Sequence, residues 1–221
     1  MSASSTLPPP LPPSGYPLQL TVDPTIGPRN RLTVGLRFLW VIPIAIVLSA
    51  VSGGVWTGRT GDSSNVIVIA AAGGFVFWAP LLLIVFRQKY PRWWFDWNRA
   101  LMHFSNRVGV YALLVRDEYP STDEEQAVHL QLPYPDVKRD LNRWLPLVKW
   151  LLAIPHFIVL AFLWIGGFFA VIIMWFAIVF TGRAPAGFER FIVDLIRWTD
   201  RVMAYAVLLV TDEYPPFRLG A

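Results

Sequence analysis

Four long runs of apolar residues, 32–53, 66–86, 144–163 and 166–181, carry almost no charge, and each is 16 to 22 residues long. That is the length scale of a helix that crosses a bilayer. After the second and the fourth run the pattern changes to a helical period. Trp94, Trp97, Leu101, Phe104, Val108 and Tyr111 recur at steps of three and four, and Phe188, Phe191, Leu195, Trp198, Val202 and Tyr205 repeat the stripe 94 residues later. Asp96, Arg99, His103 and Asn106 line the other side of the first stripe, and Arg190, Asp194, Arg197 and Arg201 that of the second. Each segment is an amphipathic helix with one wet side. Basic residues opposite a Trp/Phe/Leu face predict a helix lying in the headgroup layer. The alternative is a pair of cytoplasmic helices packed stripe to stripe.

The recurrence extends beyond the stripes. Leu18-Gln19-Leu20 returns as Leu130-Gln131-Leu132, and at the same offset of 112 Asn30-Arg31 falls on Asn142-Arg143, Arg37 on Lys149 and Pro43 on Pro155. Past the second run the offset drops to 94, so that Pro91 falls on Pro185 and Tyr111-Ala112 on Tyr205-Ala206. One further residue brings Asp117-Glu118-Tyr119-Pro120 onto Asp212-Glu213-Tyr214-Pro215. Ordered matches of this kind predict a tandem duplication. The expected organisation is a Pro-rich disordered tail (1–15), a first repeat (16–120), an acidic linker (121–127) and a second repeat (128–217). Each repeat reads as a short strand (18–22 or 129–132), two transmembrane helices and an interfacial amphipathic helix. The first repeat carries 18 more residues between its apolar runs, in a Gly- and Ser-rich stretch that predicts a polar loop.

The fold class expected is therefore an all-α membrane protein with four spans. Composition agrees: 55% of the 221 residues are hydrophobic and 15% charged, and the mean hydropathy is +0.47, whereas globular chains carry about 25% charged residues. Of 19 Lys and Arg, only Arg59 falls in the loop between the first two runs; the other 18 flank the opposite ends of the spans. The positive-inside bias places both termini and the middle segment in the cytoplasm, in a cytoplasmic (inner) cell membrane. Two hairpins that enter with the same orientation predict a pseudo-axis along the membrane normal. The tract 144–181 is only 38 residues long, which leaves a re-entrant hairpin open as an alternative to two full spans.

Chemistry is sparse. The chain has no Cys, which excludes disulfides, thiolate catalysis and Cys-based metal sites. His103, His129 and His156 lack any metal-binding spacing, and the chain has no nucleotide or nucleophile motif, so no cofactor and no metal are expected. The net charge of +4 lies beside apolar runs, where it fits anionic lipid rather than nucleic acid. His156, next to Pro155, reads as a hydrogen-bonded core residue rather than a proton relay, and the two Asp-Glu-Tyr-Pro endings as turns rather than as partners for basic residues of the opposite repeat. The one site expected is lipid-binding: Arg31 and Arg37, matched by Arg143 and Lys149, stand at the cytoplasmic mouth of each first helix and are candidates to hold lipid phosphate, the alternative being that Arg37 and Lys149 are anchors that snorkel to water.

At Tyr90-Pro91-Arg92-Trp93-Trp94-Phe95-Asp96-Trp97-Asn98-Arg99, and again at Asp117-Glu118-Tyr119-Pro120, the chain resembles a bacterial multi-pass membrane-protein family, common in actinobacteria. That family is catalogued as domain of unknown function 4389. The resemblance covers both repeats, although the Trp-rich motif is degraded in the second (Pro185-Ala186-Gly187-Phe188). It implies a membrane location and supplies no activity. The function expected is non-enzymatic: an accessory or scaffold subunit binding membrane lipid, a membrane-protein partner or further copies of itself. A small oligomeric transporter or channel is the alternative.

Overall fold

The computed structural model of the chain describes residues 15–25, 27–52, 55–59, 65–69, 80–122 and 124–220, with 55–59 and 65–69 described as backbone strands. The expected tail (1–14), most of the polar loop (53–54 and 60–64), the centre of the second apolar run (70–79) and Asp123 of the acidic linker lie outside the described residues.

The two short extended segments form one element of structure. Strand β1 (Gln19–Val22) pairs antiparallel with β2 (Val128–Gln131), in the register Gln19↔Gln131, Leu20↔Leu130, Thr21↔His129 and Val22↔Val128. Leu20 and Val128 point into the core, as alternation along a half-buried strand requires. After β1, the Asn30 side chain caps α1 (Arg31–Gly35) by accepting from the backbone N–H groups of Leu32 and Thr33, which otherwise have no partner. Helix α2 (Arg37–Ser52) follows.

The next apolar run departs from expectation. Residues Asn65–Ile69 are a strand, paired antiparallel with Val55–Arg59, where a transmembrane helix from 66 was expected. The run Val66-Ile67-Val68-Ile69 is wholly β-branched, which favours extended backbone over helix. Residues 80–82 are helical and lead into a π-helical turn, Leu83–Arg87, closed by Gln88 in the left-handed conformation (φ 47°).

The second pair of runs also differs. Two spans, or a re-entrant hairpin, were expected over 144–181. The structure has a short helix α5 (Pro146–Leu152) and then one continuous helix α6 (Ile154–Thr181) of 28 residues. The break falls at Ala153, because Pro155 has no N–H to extend the helical ladder. Gly166-Gly167 does not interrupt the helix. At 1.5 Å per residue α6 reaches about 42 Å, more than the roughly 30 Å of a hydrocarbon core. Among the described residues α6 is the one helix long and apolar enough to cross a membrane; α2, with 16 residues, is apolar but shorter. The described residues thus do not contain the four spans that the sequence pattern predicts.

The two amphipathic helices are α3 (Arg92–Ala112) and α7 (Ala186–Ala206), each of 21 residues; a single turn, α4 (Val137–Asp140), precedes α5. Helix α7 is not free to lay its apolar stripe among headgroups. Leu195, Trp198, Val202 and Tyr205 are buried, and Leu195 and Trp198 share a core cluster with Leu160 of α6. A helical stripe records the need for an apolar partner but does not say whether that partner is lipid or another helix, and here it is α6. The contact is close at Gly167, where an added Cβ would lie 3.0 Å from Leu195 Cδ2. Helix α3 is covered less: Val108 and Tyr111 are buried, while Trp93 and Trp97 remain exposed. Asn106 and Arg201, assigned to the wet faces, are both buried.

Candidate functional site

The four basic residues expected to hold lipid phosphate separate into two kinds. Arg37 and Lys149 are 2% and 0% exposed. Arg37 donates to the carbonyls of Tyr111 (2.9 Å) and Arg116 (2.6 Å), pairs with Asp117 and lies 4.3 Å above the Tyr111 ring. Lys149 donates to the Thr211 carbonyl (2.7 Å), pairs with Asp212 at 2.6 Å and lies 5.1 Å above the Tyr205 ring. The partners correspond one for one along the sequence. Asp117 and Asp212 open the two Asp-Glu-Tyr-Pro endings, which therefore do more than turn the chain. Each ties the first helix of its own half to the end of that half's amphipathic helix. Buried and paired in this way, Arg37 and Lys149 are not placed to meet a headgroup, and the lipid expectation is corrected for both.

Arg31 and Arg143 are exposed. Arg143 donates from Nε to the Val85 carbonyl (2.5 Å) and from Nη2 to that of Phe86 (3.3 Å), in the last turn before Gln88. Arg31 lies against Gly182, the left-handed residue (φ 75°) that ends α6. Both cations thus stand at helix C-termini, where unpaired carbonyls and the macrodipole favour positive charge.

Arg29, which the sequence did not single out, is 5% exposed and bridges the halves. It bonds Asp117 and the Val115 carbonyl on one side and Glu189 of α7 on the other. His156 is fully buried: its Nδ1 accepts from Trp198 Nε1 at 3.1 Å, and its ring stacks on Phe217 at 3.8 Å.

A different place carries room for a ligand. Between α3 and α7 lies a cavity of about 390 Å³. Leu101, Met102, Leu113, Ile196, Leu208 and, from α6, Trp164 are part of its apolar wall; Asn98, Asn106 and Asp200, with the hydroxyl residues Ser52, Ser105 and Thr199, are its polar lining. Five pairs of lining residues are 94 positions apart: 102 and 196, 105 and 199, 106 and 200, 109 and 203, 113 and 207. The space arises where these pairs differ in size, above all Gly109 facing the cavity opposite Met203. A Cβ added at Gly109 would meet nothing within 4 Å.

Asn106 Nδ2 donates to Asp200 Oδ2 at 2.6 Å. Burial pushes the Asp200 carboxyl up to about 8, against the smaller opposing effect of the Asn106 hydrogen bond, because an ionised carboxylate loses hydration there. Asn98 donates to the Trp94 carbonyl (2.9 Å), and its buried Oδ1 has no hydrogen-bond partner. Sequence reasoning missed Asp200, because it stands in a helix that also carries Asp194, Arg197 and Arg201 and so reads as one more charge on a wet side. Among the described residues no three His, Asp or Glu side chains are grouped to hold a metal ion.

Against known proteins, residues 144–218 match the model of the family described as Domain of unknown function (DUF4389). The match falls on α5, α6 and α7 with the Asp212-Glu213-Tyr214-Pro215 ending, the half in which the Trp-rich motif is degraded. No curated protein and no solved structure matches the chain.

Proposed function

We propose that the chain is an integral protein of the cytoplasmic membrane, built from two tandem copies of one unit, and that it works without enzymatic chemistry as an accessory or scaffold subunit. The observation that carries this reading is the outward face of α6. Its inner seam, His156, Leu160, Gly167, Ala170, Met174 and Ile178, is buried, while Phe162, Phe168 and Phe180 are 70%, 63% and 72% exposed. Phe38, Trp40 and Ile46 extend exposed apolar surface onto α2. An apolar face of this extent marks a membrane or partner surface, and lipid tails fit a helix about 42 Å long. The buried cations support the non-enzymatic reading, since Arg29, Arg37 and Lys149 are engaged in internal bonds.

Duplication is supported by contacts that recur at matching positions. The Arg37–Asp117 and Lys149–Asp212 pairs are one instance. Left-handed backbone at both Leu114 (φ 63°) and Leu209 (φ 58°) is another, and at both Gln88 and Gly182 a third. A β-branched-free, non-glycine residue adopts positive φ rarely, so its appearance twice at one place in the motif is informative.

The absence of native Cys makes the test direct. The chain should resist alkaline carbonate extraction from membranes. Gly58→Cys should react with an impermeant maleimide in intact cells, whereas Glu124→Cys and Leu219→Cys should need permeabilised cells. Release by carbonate would overturn membrane integration, and labelling of Glu124→Cys in intact cells would overturn the orientation.

A further inference from the structure

We propose that the cavity between the turn Leu83–Arg87 and helix α4 holds the phosphate of an anionic phospholipid headgroup, bound by Arg87, Lys89 and Lys138. The site deepens the membrane reading above and rests on it. The cavity measures about 670 Å³, within the range of small-molecule sites. The three cations line it against one carboxylate, Asp136, which accepts the Lys138 backbone N–H at 3.2 Å. All three are exposed, and among the described residues their side chains make no ion pair and no hydrogen bond. This sets them apart from Arg29, Arg37 and Lys149, whose charges are met inside the chain. A concavity lined by charge of one sign concentrates ligands of the other, and Arg and Lys make charge-assisted bonds to phosphate oxygens. The back wall is held in place: buried Tyr90 donates to the Leu208 carbonyl at 2.9 Å, and Tyr134 donates to the Tyr90 carbonyl.

The matching place in the other half is different. There a smaller cavity, about 360 Å³, is lined by Thr25, Arg29, Arg183 and Glu189. Arg183 follows Lys89 by 94 positions, and Thr25 precedes Val137, in the larger lining, by 112. Arg29 and Glu189 pair with each other, and Arg29 also pairs with Asp117, so the smaller cavity is largely neutralised from within. At the larger one the corresponding residues are Leu141 and Phe95, both buried in one apolar cluster. Arg87 and Lys138 have no basic counterparts, since they fall on Thr181 and Ile26. The excess of cations thus belongs to one half, with an external anion as its natural partner. The surroundings favour a lipid over a free phosphate. Phe86 and Leu82, just before Arg87, are 70% and 49% exposed, and Trp93 in the first turn of α3 is 69% exposed. Acyl chains would cover that apolar lip while the headgroup meets the cations, and tryptophan is at home at this depth.

The test uses the full chain in micelles of a neutral detergent, with equal amounts of dioleoyl phosphatidate and dioleoyl phosphatidylcholine, which share their tails and differ in headgroup charge. Native mass spectra read the lipid retained. Phosphatidate should be retained about tenfold or more over phosphatidylcholine, as expected of several basic residues acting together. Arg87→Gln with Lys89→Gln and Lys138→Gln should abolish the preference. Arg183→Gln with Arg190→Gln and Arg218→Gln, which removes three exposed cations elsewhere, should leave it in place. No preference in the wild type, a preference retained in the first variant, or equal loss in both variants overturns the site. Glycerol 3-phosphate, the same headgroup without tails, should leave most of the bound phosphatidate in place at equal concentration. Displacement of half or more would assign the cavity to a soluble phosphate ester and overturn the lipid. Micelles make this readout independent of how the chain sits in a bilayer. Release by carbonate would therefore overturn the membrane reading, and a missing phosphatidate preference would overturn this site alone.

Discussion

Asn106 and Asp200 occupy corresponding positions 94 residues apart and hydrogen-bond to each other at 2.6 Å. In the same way Gln19 and Gln131, 112 apart and corresponding in sequence, face each other in the β1–β2 ladder. A residue that meets its own counterpart lies on a two-fold axis relating two copies. These two contacts are where such an axis through the proposed duplication would pass.

The position has an energetic consequence, because the two halves differ there by one ionisable group. The Asp200 carboxyl is held up near 8 when folded and titrates near 3.9 when unfolded. Between those values the folded chain binds the extra proton, so stability is full below about pH 4 and falls as pH rises toward 8. The slope is at most about 1.4 kcal/mol per pH unit. Asp200→Asn keeps the shape and the Asn106 bond and removes the titration. In detergent-solubilised protein, the variant should melt at a temperature nearly flat from pH 5 to 8, above the wild type at pH 8. A wild-type melting temperature that does not decline over this range would contradict a protonated Asp200.

Adjacent glycines on α6 should respond oppositely to one methyl group. At Gly167 an added Cβ lies 3.0 Å from Leu195 Cδ2 and 3.6 Å from Ile192 Cδ1, whereas at Gly166 the nearest atom is Phe191 Cζ at 3.9 Å. Gly167→Ala should therefore lower stability by about 1–3 kcal/mol through overpacking. Gly166→Ala should gain up to about 1 kcal/mol from helix propensity. Thermal melts of the two variants side by side check this, and equal melting temperatures would mean that α6 and α7 do not meet as closely as described.

The sequence made some of this legible and left the rest open for physical reasons. Helical period located α3 and α7 because a stripe must recur every three to four residues whatever it packs on. The same stripe was silent about the partner, which is why α7 reads as interfacial and is covered by α6. Apolar length foresaw a helix long and apolar enough to cross a membrane but not the division of 144–181, where Pro155 ends one helix and a glycine pair merely admits α7. The basic pairs were found by their recurrence, while their role lay in Asp117 and Asp212, which recur at matching places. Pairing a repeated cation with a repeated acid is the signal that would have revealed the ion pairs. Asp200 stood in a helix otherwise rich in charges, where nothing in the local pattern separates a wet acid from a buried one.

The lipid contact expected of the four repeated cations now rests on Arg31 and Arg143. Each basic residue near an anionic surface contributes about 1 kcal/mol, so the pair is expected to favour anionic lipid by roughly 2 kcal/mol, a thirtyfold preference before screening. Arg31→Gln with Arg143→Gln should reduce cardiolipin retained in native mass spectra while leaving the protein folded. Unchanged retention would leave helix capping as the whole role of both residues.

Lys149 and Asp212 distinguish a structural joint from a lipid anchor most directly. If Lys149 were a surface anchor, removing its charge would alter lipid binding and leave stability nearly unchanged, as for most exposed cations. With its side chain fully buried and Asp212 at 2.6 Å, the expectation is the reverse. Asp212→Asn leaves the ammonium buried without its counter-charge, and breaking a buried pair from one side costs about 3–5 kcal/mol. Lys149→Met with Asp212→Asn removes both charges, keeps the apolar stem of the lysine against Tyr205, and should recover a large part of that loss, since apolar replacement of buried pairs is often close to neutral. Arg37→Met with Asp117→Asn should recover less, because Asp117 also serves Arg29, whose charge then loses a partner. Melting temperatures for the single and double variants, measured as two cycles, give the coupling in each half. A Lys149–Asp212 coupling indistinguishable from zero would show that the ion pair does not hold α5 to the end of α7.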